Sequence, residues 1–149
     1  VVDWFEISSD EDAEALASAI ETAKPVHDRI GLTGIASAME YAAQAILGNG
    51  ITAERSVIDV SADGPDNVTQ NAAVIRDRYT TASPDNGWSE ITINGLLVRG
   101  GGLHSMTPEQ FRDYFENNVI GGPSHFLIEV DSARDLPRAV RFKLSSEIG

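Results

Sequence analysis

Arg55-Ser56-Val57-Ile58-Asp59-Val60-Ser61-Ala62-Asp63-Gly64-Pro65-Asp66-Asn67 is the stretch that decides how the rest of the chain is read. It opens as a short apolar run, Val57 to Val60, of the kind a buried parallel strand shows. It closes in Asp, Gly, Pro and Asn, which is turn chemistry, and Val68 to Tyr79 then reads as a helix. A buried strand that ends in an acidic loop and feeds a helix sets carboxylates at the carboxyl edge of a sheet, where open α/β sheets hold their ligands. Asp63, held by the Gly64-Pro65 turn, is the leading candidate for a functional residue.

Upstream, Val1 to Ile7 (VVDWFEI) has the β-branched and aromatic content of a strand. Ser8-Ser9-Asp10-Glu11 fits a capping box, and Ala13, Leu16, Ala17 and Ile20 form one helical stripe that Pro25 ends. A second helix carries Ile35, Ala38, Met39, Ala42, Ala45 and Ile46 on one face and stops at Gly48 and Gly50. Thr33, at its mouth, is placed to be the N-cap, a metal ligand, or both. Downstream, 80–89 is a surface loop, Glu90 to Val98 a strand, and Arg99 to Ser105 a Gly-rich loop without the Lys-Ser/Thr of a phosphate cradle. Thr107-Pro108-Glu109-Gln110 starts a helix with Phe111, Tyr114 and Phe115 inward. Gly121-Gly122-Pro123 breaks the chain before a strand at Phe126 to Val130 and a closing helix, Asp135 to Ile148, with Leu136, Val140 and Leu144 inward. Four strands alternating with helices predict a parallel sheet covered on both faces, in one domain over 1–149.

Charge and composition exclude several classes. The net charge of −12 lacks the clustered basic surface that nucleic acid or an anionic membrane requires. Without cysteine there is no disulfide, zinc–thiolate site or thiol catalysis. No run of 18 apolar residues exists to span a bilayer. The three histidines, His27, His104 and His125, show no metal-ligand spacing, and no nucleophile elbow surrounds Ser61. Asp59 and Asp63, at the strand-to-loop junction, could hold a hard cation, which prefers oxygen, or serve only turn hydrogen bonds.

Thr33-Gly34-Ile35-Ala36-Ser37-Ala38, followed by the strand ending in Asp59-Val60-Ser61-Ala62-Asp63-Gly64, resembles the second and third parts of a von Willebrand factor A-type domain. More narrowly, Val2-Asp3-Trp4, VIDVSADGP, ITINGL (91–96) and Asn118 to Pro123 make the chain similar to a bacterial family of uncharacterised proteins with that domain. The resemblance implies a doubly wound, mostly parallel sheet with a metal-ion-dependent adhesion site at its carboxyl edge. Carried over, Thr33 and Asp63 are the metal ligands, for Mg²⁺ or alternatively Mn²⁺ or Ca²⁺. The first-strand Asp-x-Ser-x-Ser motif of such sites is absent, so the chain corresponds to the carboxyl two-thirds of the domain, incomplete at its N-terminal side. Two ligands leave about four positions of an octahedral shell to water, which predicts weak or absent binding, millimolar or worse. The implied partner is a protein donating an acidic side chain. The bare edge of the 56–61 strand would accept the missing N-terminal fragment or another copy. The implied location is extracytoplasmic, periplasmic or secreted. The competing readings are a metal-assisted hydrolase using Asp59, Asp63 and His104, and a structural assembly domain without metal.

Overall fold

In a computed structural model of the chain, the residues described are 2–23, 32–68, 71–82, 90–99 and 106–148. Contacts divide the chain into two compact units, Val1–Gly31 and Leu32–Gly149. The connections expected around His27, over 83–89 and over 100–105 lie outside the described residues.

Among the described residues, the first unit contains one regular element, α1 (Asp10–Thr22). Its cap is Ser9, whose side chain accepts from the Asp12 amide, one residue later than the capping box read from the sequence. Asp12 answers by accepting from the Ser8 amide at 3.0 Å and from both serine hydroxyls. Those bonds, the Ser8 amide foremost, hold the Asp12 carboxyl below its ordinary range. Residues 2–8 form no strand, correcting the expectation for 1–7. Strand propensity measures fit to a pleated, paired surface, and no ladder partner is present for this segment among the described residues. Trp4, Phe5 and Ile7 are accordingly exposed, and the apolar stripe of α1 contains no buried residue.

The second unit runs α2 (Ile35–Gly48), β1 (Ser56–Ala62), α3 (Ala72–Thr80), β2 (Ile91–Val98), α4 (Pro108–Asn118), β3 (Leu127–Val130), a 3₁₀ turn (Ala133–Asp135) and α5 (Leu136–Ile148). Among the described residues the sheet has three parallel strands in the order β1-β2-β3, one fewer than expected. Central β2 is buried from Ile91 to Leu97. Alternation sends Ile58 and Val60 with Ile91, Ile93 and Leu97 to one face, under Met39 of α2, Ile75 and Tyr79 of α3, and Phe111 and Phe115 of α4. Leu96 and Val130 point to the other face, against Ala139 and Leu136 of α5. Helices thus cover both faces, three on one and α5 on the other, as a doubly wound sheet requires.

A central strand with no polar face must still satisfy any polar side chain it carries. The Thr92 hydroxyl donates to the Pro123 carbonyl at 2.9 Å, and Asn94 uses both ends of its amide, donating to Glu147 and accepting from the Phe126 amide. Next to Asn94, on the other face of β2, Gly95 is required by space: a Cβ there would lie 2.6 Å from Leu127 Cδ1 and 2.9 Å from both Ile120 and Phe115 side chains. Gly122 adopts φ +85°, with Ile91 O only 2.4 Å from where its Cβ would stand, and this allows Gly121 to bridge Ile93 antiparallel.

Several boundaries differ from the sequence reading. The helix expected from Val68 starts at Ala72, because the Asn71 side chain caps Ala73 and Val68 is held by Asp66. The α4 start is as read: Thr107 and Gln110 form a reciprocal capping box with Pro108 inside it. In α5 Leu136 packs inward as expected, joined by Ala139 and Lys143, whereas Val140 and Leu144 are 37% and 47% exposed. The expected apolar stripe is displaced because α5 presents a lysine, not a leucine, to the polar positions of β1 and β2.

Candidate functional site at the carboxyl edge of the sheet

The turn after β1 and the turn before α2 meet. The Thr33 amide donates to Asn67 Oδ1 at 2.7 Å, and the Asn67 amide returns a bond to the Thr33 carbonyl at 2.9 Å. Two loops more than thirty residues apart in sequence are therefore stitched by a reciprocal pair. Asp66 completes the junction: Oδ2 accepts from the Ala36 amide at 2.6 Å and Oδ1 from the Val68 amide at 2.9 Å. The Asp66 amide donates to the Tyr114 hydroxyl at 3.4 Å, and burial raises the pKa of that phenol.

The physical logic is that of a helix N-terminus. The first amides of α2 have no intrahelical acceptor, and the partial positive charge there favours a carboxylate. Gly34 occupies the N-cap and offers no side chain. Asp66 supplies the acceptor from a different loop, so the expected role of Thr33 as N-cap falls instead to Asp66. The sequence reading placed Asp66 in the turn but assigned it nothing. A weak signal existed, since a helix opening on Gly-Ile-Ala has no local cap; identifying the distant donor required the fold.

Asp63 is exposed, three positions before Asp66 on the same turn. Among the described residues its carboxylate and the Thr33 hydroxyl make no hydrogen bond or ion pair. Neither oxygen is engaged elsewhere among the described residues, whereas Asp66 is committed to two amides. Among the described residues, no three His, Cys, Asp or Glu side chains cluster so as to hold a metal ion. One hydroxyl and one carboxylate fit a divalent cation's preference for hard oxygen but fill about a third of its shell. The fit is partial.

The other candidates do not gather here. Asp59 lies on the opposite face of the sheet, paired with Lys143 of α5. Exposed His125 directs Nδ1 to the Gly122 carbonyl at 2.7 Å, and His104 lies outside the described residues. A second charged group sits at the ends of β2 and β3, where Glu129 is paired with both Arg99 and Arg112. Among the described residues no helix is long and apolar enough to cross a membrane.

Comparison with characterised proteins and with solved structures finds no match for this chain. The model of one family, described as proteins of unknown function and designated DUF1194, matches residues 1–149, and the chain belongs to that family.

Proposed function

We propose that this chain is a protein-binding module that engages an acidic side chain of its partner through a divalent cation, with Thr33 and Asp63 as the chain's own ligands. The observation that carries this reading is the reciprocal Thr33–Asn67 pair, which fixes the Thr33 turn against the Asp63–Asn67 turn at the carboxyl edge. Loops converging at that edge are where open α/β sheets place ligands. The rim offers unengaged hard oxygens, and a surface of net charge −12 concentrates cations near it. When bound, the cation would bridge the rim and a carboxylate on the partner, giving the interaction direction and charge complementarity.

The finer features of the proposal are a von Willebrand factor A-like relationship and an extracytoplasmic location, both resting on the motif resemblance. Mg²⁺ is the expected ion, with Mn²⁺ or Ca²⁺ as substitutes. Partner carboxylates, or oxygens from an additional segment or copy completing the sheet beyond β1, would supply the missing ligands. A binding role is favoured over a hydrolase because Asp59, one of three groups such an enzyme would use, is engaged by Lys143.

Calorimetric titration of Mg²⁺ and Mn²⁺ into the chain tests the proposal. Expected is weak saturable binding, on the order of millimolar for so few ligands, lost in both Asp63→Ala and Thr33→Val with unchanged circular dichroism. Equal heats in the parent and both variants would overturn the cation site and leave a structural assembly domain.

A further inference from the structure

On the face of the sheet away from the rim, α5 covers a polar cluster rather than apolar surface alone. Lys143 is 3% exposed and ion-paired with Asp59 at the middle of β1. Its Nζ also lies 3.8 Å from Glu147 Oε1, one turn along the helix. Glu147, whose side chain is 9% exposed, accepts from Asn94 Nδ2 at 2.6 Å, and Asn94 Oδ1 accepts from the Phe126 amide at 3.1 Å. Asp59 and Asn94 are register partners on adjacent strands, so one helix turn spans two neighbouring polar positions of the sheet.

The charge count of this cluster is uneven. One ammonium stands between two carboxyl groups, and Asp59 already neutralises it. The cluster is electrically balanced only while Glu147 holds a proton. Burial is the largest influence on Glu147 and raises its pKa; the Asn94 hydrogen bond and Lys143 oppose this, and Asp59 adds to it. The groups facing Glu147 from each packed element are Lys143 on α5, Asp59 on β1 and the non-titrating Asn94 on β2. From β3 the side chains under α5 are Ile128 and Val130, which carry no charge.

We infer that Asp59, Lys143, Glu147 and Asn94 form a protonation-controlled latch: Glu147 in its acid form holds α5 on the sheet, and its ionisation loosens the helix. The proton is released to solvent, and an unbalanced negative charge is left beneath α5. The sign follows from linkage. A carboxyl whose folded pKa exceeds its unfolded value stabilises the fold below the unfolded value, and that contribution is lost as pH rises through the folded one. The latch is therefore closed in acid and weakens as pH climbs above the ordinary glutamate range. Loosening would uncover Leu96 and Val130, which are buried beneath α5, next to Asp59, which is exposed already, giving a mixed apolar and charged strip beside β1.

Amide hydrogen exchange of the whole chain, followed by mass spectrometry and corrected for intrinsic exchange rates, reads the latch. The quantity is protection of α5 amides relative to that of β2 amides. Across the titration of Glu147 this ratio should fall with pH by up to about tenfold per unit, the limit for one proton. In Glu147→Gln, which keeps an acceptor for Asn94 but cannot ionise, the ratio should stay flat. In Asp59→Asn it should also flatten, because an ionised Glu147 then balances Lys143. A carbon-detected NMR titration of the Glu147 carboxyl in the parent should give a midpoint at the upper end of the pH range over which the ratio falls, where the ratio levels off, a comparison that holds if a variant fails to fold. A flat ratio in the parent, a parent-like fall in Glu147→Gln, or a ratio that keeps falling well beyond the Glu147 midpoint would each overturn the latch.

Discussion

Replacing Asp66 by Ala separates the group that builds the rim from the group proposed to use it. Ala36 is fully buried, so its amide, 2.6 Å from Asp66 Oδ2, cannot turn to water when the carboxylate is removed. A buried donor left without an acceptor costs about 1–3 kcal/mol, and loss of a helix cap costs about 1 kcal/mol on its own. The Val68 amide is only partly buried and can be rehydrated, so its bond adds little. These contributions overlap, giving an expected loss of about 2–3 kcal/mol. With a urea slope near 2 kcal/mol/M, the unfolding midpoint should fall by about 1–1.5 M. Asp66→Asn keeps one acceptor oxygen and should fall between the parent and the alanine variant. Asp63→Ala removes an exposed carboxylate with no partner among the described residues and should stay within about 0.5 kcal/mol of the parent. Urea denaturation of all four proteins, followed by far-ultraviolet circular dichroism, makes the comparison. If Asp66→Ala unfolds at the parent midpoint, or Asp63→Ala is as damaged as Asp66→Ala, the capping account of this junction is wrong.

Two further outcomes follow from packing and capping. Gly95→Ala places a methyl group 2.6 Å from Leu127 Cδ1 and 2.9 Å from Phe115 Cδ1, both core neighbours of the central strand. It should destabilise by about 1–3 kcal/mol, seen as a lowered melting temperature; an unchanged melt would show that α4 and β3 move aside freely. Thr107→Ala breaks the capping box of α4 and should cost about 1 kcal/mol, while Thr107→Ser restores most of it. Thermal denaturation of the pair tests this, and equal losses in both would assign the effect to the threonine methyl group.

Elements whose signals are local were legible in the chain. The apolar run at 91–98 reads as a buried strand because both faces of β2 are covered, the run at 57–60 reads as a strand although β1 buries only Ile58 and Val60 and exposes Asp59 and Ser61, and the Thr107-Pro108-Gln110 start of α4 is complete within one turn. The α/β class followed from their alternation. Local signals failed where pairing or packing is the cause. VVDWFEI has every propensity of a strand, yet residues 2–8 form none, because a strand exists only with a partner. The apolar stripe predicted for α5 gave way to Lys143, since the polar side chains of Asp59 and Asn94 reward a charged and hydrogen-bonding helix face.

At the rim the same division holds. The sequence by itself determined that an acidic, glycine- and proline-bearing turn follows a buried strand, because turn chemistry is written in neighbouring residues. Only the tertiary structure decided which carboxylate of that turn is structural and which is exposed. Asp63 and Asp66 are chemically identical, and their difference lies in the distance of each from a helix end that precedes them by some thirty residues. Burial, register and the satisfaction of distant amides are properties of the assembled sheet, and no local pattern encodes them.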